Sequence, residues 1–343
     1  MLYKIKGIWK TYNLIRKLTS INGSDVSETF LNRVLFNAET LPPLGKEYWW
    51  YLFFGQNSER PVQLMLLIFR KNGKKMLFNN KEMALRELEK NKFLGITSGW
   101  VYDGRKLHDL CDTNAIVKIQ DKKIVSEISG QRMTFSGGFP DYRLKIGDAI
   151  NLNIKKANYL ENKNAHGVFI PPFGMGWVDI FSDVDGIVFG RKFNGTAHLQ
   201  KVVGATIFGP FHWGRIIFKH DSVVSFFCLK TGKDSKKYFH RSLFFYNHEN
   251  NETIRFDNPK LKISKRKGDT LLWIIEGEDN EKYLRIVLET YARKRFDMKG
   301  DSGSQVYIEY AVIPKEFVLK CKEKMITLAD LGKGVGTFED AYW

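Results

Sequence analysis

Short apolar segments of strand length recur along almost the whole chain, and turn-forming residues separate them. Representative segments are residues 48–54, 62–70, 115–120, 223–229 and 306–312. Some alternate apolar and polar residues, which is typical of strands with one face in a core. Helical patterns are too few for the alternating strands and helices of a parallel sheet. The sequence therefore predicts a mostly β protein, with two antiparallel β-barrel domains in tandem and few helices.

The length of the chain favours two domains. It has 343 residues, whereas single hydrophobic cores stop growing at roughly 250–300 residues. Hydrophobic residues make up 43% of the sequence, which is enough to fill two cores. We predict an N-terminal basic amphipathic segment at 1–32, a first barrel at 33–205 and a second barrel at 206–343.

Two segments have helical patterns. Residues 3–18 combine a helically spaced apolar stripe with cations and contain no acid. The apolar positions are Ile5, Ile8, Trp9, Tyr12, Ile15 and Leu18, and the cations are Lys4, Lys6, Lys10, Arg16 and Lys17. This helix either packs on a barrel or binds an anionic membrane surface. Residues 81–92 predict a second helix, with Asn79 or Asn80 as its cap and an apolar side formed by Met83, Leu85, Leu88 and Phe93.

The charge of the chain favours an anionic partner. Lysine and arginine number 54 against 38 acidic residues, for a formal net charge of +16. Lipid head groups, nucleic acid and an acidic ligand all fit this charge. No nucleic-acid recognition motif is present and the basic clusters are dispersed, so we expect nucleic acid not to be the partner.

Cysteine and histidine spacing indicates neither a disulfide framework nor a metal site. Cys111, Cys228 and Cys321 are far apart, and the histidines form no HxH or HExxH pair. We predict no cofactor and no catalytic metal. The longest apolar run, near residues 64–69, is too short to span a bilayer. A cytoplasmic location, with peripheral membrane contact as an alternative, is the expectation.

Four motifs carry a resemblance to a known family. Residues 47–54, Glu-Tyr-Trp-Trp-Tyr-Leu-Phe-Phe, and the apolar strand at 63–70 are similar to the EWWYF strand and its partner in the carotenoid hydratase and AttH-type lipocalin-like family. Residues 190–197, 208–214 and 334–339 resemble further segments of that family in the same order.

This resemblance implies two lipocalin-like (calycin) barrels and a small apolar or isoprenoid-like ligand. Some members hydrate an isolated double bond or close a ring in a pericyclic reaction. The chain departs from the family at an Asp-His pair, because Pro210 and Phe211 stand at those positions and Phe208 replaces a tryptophan. If the family carboxylate supplies the proton, another acid must replace it here.

Hydration of an unactivated alkene requires a water-shielded acid and aromatic faces for the resulting cation. Asp179, among alternating apolar residues, is the first candidate for a buried neutral acid, and Glu339 is the second. Each could instead be an exposed surface carboxylate. His212, in a constrained corner before Trp213, is a third catalytic candidate or a structural histidine.

Aromatic and basic side chains supply the candidates for a ligand site. They are Trp49, Trp50, Tyr51, Trp100, Trp177, Phe211, Trp213, Arg215, His240 and Tyr246. Strand geometry sends Trp49 and Tyr51 to one face and Trp50 to the other, so one of these faces belongs to the core.

Three other functions compete with an enzyme acting on an apolar substrate. A non-catalytic lipid or isoprenoid carrier needs only an apolar cavity, and a membrane-surface protein needs only the N-terminal helix. Residues 300–304, Gly-Asp-Ser-Gly-Ser, resemble the nucleophile loop of chymotrypsin-like proteases, with His198 as a partner. A flexible turn explains this last motif without chemistry.

Overall fold

Antiparallel strands dominate the computed structural model, which describes residues 2–21, 26–56, 60–156, 163–170, 173–205, 209–233, 237–301 and 303–342, with side chains from residue 5 onward. Phe208 and Ser302 lie outside the described residues. Inter-residue contacts divide the chain into two compact units. The first contains Met1–Ser58, Val62–Phe208 and Met298–Gly303, and the second contains Glu59–Pro61, Gly209–Asp297 and Ser304–Trp343.

The first unit begins with two helices and continues with strands. The helices are α1 (Leu2–Ile21) and α2 (Glu28–Leu35). The strands are β1 (Lys46–Gly55), β2 (Gln63–Lys71), β3 (Lys75–Phe78), β4 (Lys81–Ala84), β5 (Arg86–Glu89), β6 (Lys92–Tyr102), β7 (Leu107–Gln120), β8 (Lys123–Ile128), β9 (Gln131–Gly138), β10 (Asp141–Ile146), β11 (Ile150–Lys156), β12 (Lys163–Ile170), β13 (Phe173–Val188) and β14 (Arg191–Gly204).

Ten of these strands form a closed barrel. The order is β11-β10-β9-β8-β7-β6-β2-β1-β14-β13, and β13 pairs back to β11 to complete the ring. The long strand β13 makes this closure possible, because its second half pairs with β11 and its first half pairs with β12. All of these ladders are antiparallel, which confirms the predicted fold class for this unit.

The barrel interior is filled by side chains that alternate along each strand. Trp49, Tyr51 and Phe53 of β1 belong to one hydrophobic core with Leu66 and Ile68 of β2. The intervening residues of β1 point to the other face and are also buried. This double burial explains why residues 48–54 are apolar without alternation.

Helix α2, which no sequence pattern predicted, buries Phe30, Leu31, Val34 and Leu35 in the core of this unit. The Ser27 side chain caps it by accepting a hydrogen bond from the Phe30 N–H. At its other end, Lys201 Nζ donates to the Val34 carbonyl at 2.7 Å and Trp49 Nε1 donates to the Leu35 carbonyl at 2.7 Å. The last carbonyls of α2 are therefore satisfied by side chains from the barrel wall.

A buried ion network lies beside this helix end. Glu47 receives Lys201 Nζ at 2.8 Å and Arg70 Nε at 2.6 Å, and all three side chains are almost fully buried. Burial alone would raise the pKa of Glu47, but the charges and hydrogen bonds of Arg70 and Lys201 hold it below its ordinary value. The first residue of the 47–54 motif therefore has a structural role.

Helix α1 confirms the helix predicted at residues 3–18, and it packs on β12 and β13. Ile15 and Leu18 are fully buried on its inner side. Gly167 permits the close approach, because a Cβ there would lie 2.7 Å from the backbone nitrogen of Thr19. No helix in the described ranges is long and apolar enough to cross a bilayer.

The helix predicted at residues 81–92 is wrong. Asn79 and Asn80 have φ values of 50° and 64°, so they form a tight turn between β3 and β4 and do not cap a helix. Strands β4 and β5 follow, and Met83 and Leu85 are buried with strand alternation. Asparagine tolerates the left-handed region, which makes the pair Asn-Asn a hairpin signal.

The second unit is an antiparallel sheet with its own hydrophobic core. Its strands are β15 (Phe211–Phe218), β16 (Val223–Lys230), β17 (Tyr238–Asn247), β18 (Glu252–Phe256), β19 (Lys262–Arg266), β20 (Leu272–Asp279), β21 (Lys282–Gly300), β22 (Gly303–Cys321), β23 (Lys324–Thr327) and β24 (Gly334–Tyr342). The order is β18-β17-β16-β15-β24-β22-β21-β20-β19, with β23 beside β22. A short helix, α3 (Leu328–Leu331), precedes β24.

Candidate functional site

Strand register separates the candidate residues of the first unit into two groups. Trp49 and Tyr51 lie in the barrel core, with no exposed surface. Trp50, Trp100, Trp177 and Asp179 point to the other face of the barrel wall. Side chains alternate along a strand, and Val178, between Trp177 and Asp179, belongs to the barrel core. Its two neighbours therefore point away from that core. Trp49 and Tyr51 therefore belong to the barrel core.

Asp179 is the centre of a buried polar cluster on this outer face. His198 Nε2 lies 2.7 Å from Asp179 Oδ1, and Gln200 Nε2 donates to the same oxygen at 2.9 Å. Trp177 Nε1 donates to Oδ2 at 3.0 Å, and His166 Nε2 is 3.8 Å from that oxygen. Asp179 is 6% exposed, so the alternative of an exposed carboxylate does not hold.

These contacts make Asp179 a carboxylate. Burial raises its pKa, but the hydrogen bond and charge of His198, the charge of His166 and the hydrogen bond from Gln200 lower it below the ordinary value. The expectation that burial keeps Asp179 protonated is therefore wrong. A buried carboxylate with several donors stays ionised, whereas a neutral acid needs burial without them.

Register also divides the candidates in the second unit. Residues directly opposite in the ladder share a face, and β15 pairs Phe211 with Ala341, Trp213 with Glu339 and Arg215 with Thr337. These side chains point away from the core that contains Ile216 and Phe338. His240 and Tyr246 of β17 share that outer face by the same alternation. His212 alone among the predicted residues of this unit points into the interior.

His212 lies among aromatic rings inside the second unit. Phe338 and Trp273 are stacked with ring centroids 4.0 Å apart, and Tyr310 meets Trp273 edge-on at 5.3 Å. The His212 ring is 5.5 Å from Phe338 and 6.2 Å from Trp273. We call these four residues, together with Asp340, the His212 cluster.

Three buried polar atoms of the His212 cluster have no hydrogen-bond partner among the described residues. They are His212 Nδ1, Trp273 Nε1 and Tyr310 Oη. The three residues are 8%, 3% and 0% exposed. A buried polar group without a partner costs about 1–3 kcal/mol, so three in one cluster are costly unless a bound molecule or water satisfies them.

Asp340 completes the cluster, and it lies one position after Glu339, the residue predicted from the sequence. Its Oδ1 lies 3.3 Å from His212 Nδ1, close but without hydrogen-bond alignment. Burial raises the pKa of Asp340, although the charges of Lys230 and Lys265 oppose this shift. The alternation of β24 is the signal that could have found it, because Phe338 and Asp340 point inward while Glu339 points outward.

His212 is neutral in this environment. Burial and, to a lesser extent, the charge of Lys230 lower its pKa to about 3, although a hydrogen bond with the Glu339 backbone opposes them. Asp340 and His212 therefore both shift toward their uncharged forms. A neutral carboxyl can donate a proton, and a neutral imidazole has one nitrogen that can accept a proton.

Lys265 adds an exposed cation to the cluster. Its Nζ lies 5.4 Å from the Trp273 ring centroid and 5.8 Å from that of Tyr310. Burial lowers the pKa of Lys265, Asp340 raises it, and the charges of Lys267 and Arg293 lower it. The cluster thus combines aromatic faces, uncharged polar groups and one cation.

No group of three or more metal-ligating side chains occurs within the part of the chain that the structure describes. The described residues do not form the protease-like site that residues 300–304 suggested. His198 contacts Asp179, and Ser302 lies outside the described residues.

Solved structures show which fold this is. A protein assigned as AttH from Nitrosomonas europaea aligns with a TM-score of 0.52 and 14% identity, over 93% of this chain and 96% of that one. CghA, crystallised with Sch210972, aligns with a TM-score of 0.52 and 11% identity, over 94% and 95%. The chain shares the AttH fold. No protein-family model and no curated protein matches the sequence.

The AttH fold gives the short sequence motifs structural roles in this chain. Glu47 and Trp49 hold the end of helix α2. Gly214 gives room to the Phe226 ring, because a Cβ there would lie 2.4 Å from Phe226 Cζ. These residues of the 47–54 and 208–214 motifs therefore help to build the fold.

Proposed function

We propose that this protein binds a small, mostly apolar molecule with a polar group against the His212 cluster. The observation that carries this proposal is the set of three unpartnered polar atoms among stacked rings. Rings supply apolar contact area, and a few fixed donors and acceptors orient a ligand. Isoprenoid and lipid-like molecules with a hydroxyl, carbonyl or carboxylate group match this chemistry.

Two further observations support binding. Lys265 beside the rings suits a ligand with a negative or carbonyl oxygen. CghA, which has the same fold, was crystallised with a small molecule. A carrier function requires nothing more than this site.

Ligand binding is tested with Trp273→Phe, which keeps the apolar ring and removes the indole donor. Trp213→Phe is the matched control, because Trp213 points to the opposite face of the sheet. We expect the Kd for retinoid or fatty-acid probes, measured by isothermal titration calorimetry, to rise about tenfold in Trp273→Phe, as for the loss of one hydrogen bond. The control should bind like the parent. Equal weakening in both variants, or no binding across the panel, would contradict the proposal.

Acid chemistry on a double bond is the second candidate function, and Asp340 favours it. A neutral Asp340 carboxyl would donate its proton to one alkene carbon, and the π faces of Trp273 and Phe338 would stabilise the cation at the other carbon. Water would then add to that cation and return one proton to Asp340, directly or through His212 Nδ1. Ring closure would follow if an internal double bond attacked the cation in place of water, and the new cation would then lose a proton to the Asp340 carboxylate.

The acid step is tested by turnover of isoprenoid alkenes in Asp340→Asn and in its neighbour control Glu339→Gln. If the parent turns substrate over, we expect Asp340→Asn to lose about 10²–10⁴-fold in kcat with little change in binding. Glu339→Gln should keep its activity, because residue 339 points to the other face. Binding without turnover in the parent would favour the carrier.

A further inference from the structure

An exposed apolar surface joins helix α1 to the β12–β13 hairpin. Trp9 is 63% exposed, Ile5 48%, Ile170 68% and Phe173 54%. The Trp9 ring lies 6.4 Å from Tyr12, and Tyr12 meets the Phe169 ring edge-on at 6.2 Å. We call this surface the Trp9 patch, and it contains Ile5, Trp9, Tyr12, Phe169, Ile170 and Phe173.

Helical geometry explains why these side chains remain exposed. Ile5, Trp9 and Tyr12 lie at i, i+4 and i+7, so they share one face of α1. Leu18 and Ile15 lie on the side of α1 that packs on the barrel. Ile170 and Phe173 are partners in the ladder at the tip of their hairpin. The helix thus uses one apolar side for packing and presents a second apolar stripe outward.

Cations border the Trp9 patch, and α1 contains no acid. Lys6 and Lys10 directly follow Ile5 and Trp9 of the apolar stripe, Lys17 lies further along the same side of the helix, and all three are exposed. Arg16 lies at the C-terminal end of the stripe, with its guanidinium 5.9 Å from the Phe169 ring. Positive charge without any acid, beside exposed apolar side chains, fits an anionic lipid surface.

We propose that the Trp9 patch docks on an anionic lipid bilayer. Helix α1 and the hairpin tip would lie along the surface, with Trp9, Ile170 and Phe173 between the head groups and the lysines against lipid phosphates. This function is independent of the ligand site in the second unit. It would bring that site to a membrane, where apolar molecules are dissolved.

The test is co-sedimentation of the full chain with vesicles of phosphatidylcholine alone and of phosphatidylcholine with an equal part of phosphatidylglycerol. We expect binding to the anionic vesicles only, and less binding as salt rises. Trp9→Ala and the pair Lys6→Glu with Lys10→Glu should each weaken binding at least about tenfold.

Two matched controls separate the patch from general charge and hydrophobicity. Phe239→Ala removes a ring that is 77% exposed in the second unit, and Lys123→Glu with Lys320→Glu makes the same charge change at exposed lysines elsewhere. Both controls should bind vesicles like the parent. The proposal is overturned if the parent does not sediment with anionic vesicles, or if the controls weaken binding as much as the patch variants. A patch that instead mediates self-association, seen as an oligomer that Trp9→Ala dissociates without any vesicle binding, overturns it as well.

Discussion

Two aspartates show how neighbouring groups decide the chemistry of a buried residue. Asp179 and Asp340 are both largely removed from water, yet their pKa values shift in opposite directions. His198, Gln200 and Trp177 approach the Asp179 oxygens closely, whereas the His212 nitrogen 3.3 Å from Asp340 is not aligned for a hydrogen bond. Burial therefore yields a carboxylate in the first case and favours a neutral acid in the second.

The low pKa of His212 predicts a specific pH dependence of stability. Its folded pKa is about 3, and an unfolded histidine titrates near 6.5. Between these values the unfolded chain binds a proton that the folded chain does not, so stability falls as pH falls from about 6.5 towards 3. We expect His212→Gln to lose less unfolding free energy than the parent when pH drops from about 7 to about 4.5, by on the order of a few kcal/mol.

Urea unfolding at the two pH values measures this difference. The control is His220→Gln, because His220 is exposed, and it should keep the acid sensitivity of the parent. Asp340 contributes with the opposite sign, since its raised pKa stabilises the folded chain at low pH and this stabilisation is lost as pH rises through the folded pKa. Identical acid sensitivity in the parent and His212→Gln would show that the imidazole is not held neutral.

Single residues of the site were only partly predictable from the sequence. His212 stood out because it lies between Pro210 and Trp213 in a run of aromatics. Glu339 was chosen in place of Asp340, because the face of a strand depends on its register and register depends on distant partners. Trp273 and Tyr310 joined the cluster from strands far apart in sequence.

Elements were predictable where local pattern and tertiary setting agreed. Strand β1 and helix α1 were expected close to their observed positions, since apolar runs and helical stripes are local signals. Residues 81–92 failed because their apolar spacing fits a helix loosely, while the positive φ values of Asn79 and Asn80 form a hairpin turn. The apolar spacing fits either a helix or strands here, and the turn preference of the Asn-Asn pair is what favours the strands.

The contact between helix α1 and the hairpin predicts the effect of a single methyl group. Gly167→Ala would place its Cβ 2.7 Å from the Thr19 backbone nitrogen, which cannot move without shifting the helix. We expect a loss of about 1–3 kcal/mol in unfolding free energy, with faster proteolysis within residues 2–21. Gly268→Ala is the control, since nothing lies within 4 Å of the added atom. Unchanged proteolysis in Gly167→Ala would mean that the helix does not pack this closely.

At the scale of the whole molecule, the fold class followed from repeated short strands, but the closure of the first barrel did not. The pairing of β13 with both β11 and β12 depends on contacts that no local pattern reveals. No local pattern predicted that residues 298–303 belong to the first unit either. Long-range pairing is chosen by the global packing of side chains, and single-sequence patterns do not record it.

The net charge of +16 leads to a prediction about nucleic acid. Dispersed cations attract phosphate non-specifically, and this attraction falls steeply with salt. We expect labelled duplex DNA to be retarded in gel shifts at low ionic strength only, without sequence preference. Retinoid or fatty-acid binding should change little over the same salt range. A sequence-selective shift at physiological salt would contradict this expectation.

The seam between β1 and β14 has a consequence for how the chain is made. Gly55 and Gly195 are partners across this seam although they are 140 positions apart. At about 5–20 residues per second, ribosomes need roughly 7–30 seconds to supply β14 after β1 has emerged. During that interval the edge of the aromatic strand β1 that later pairs with β14 has no partner, so a nascent chain would depend on chaperones to keep this edge from aggregating.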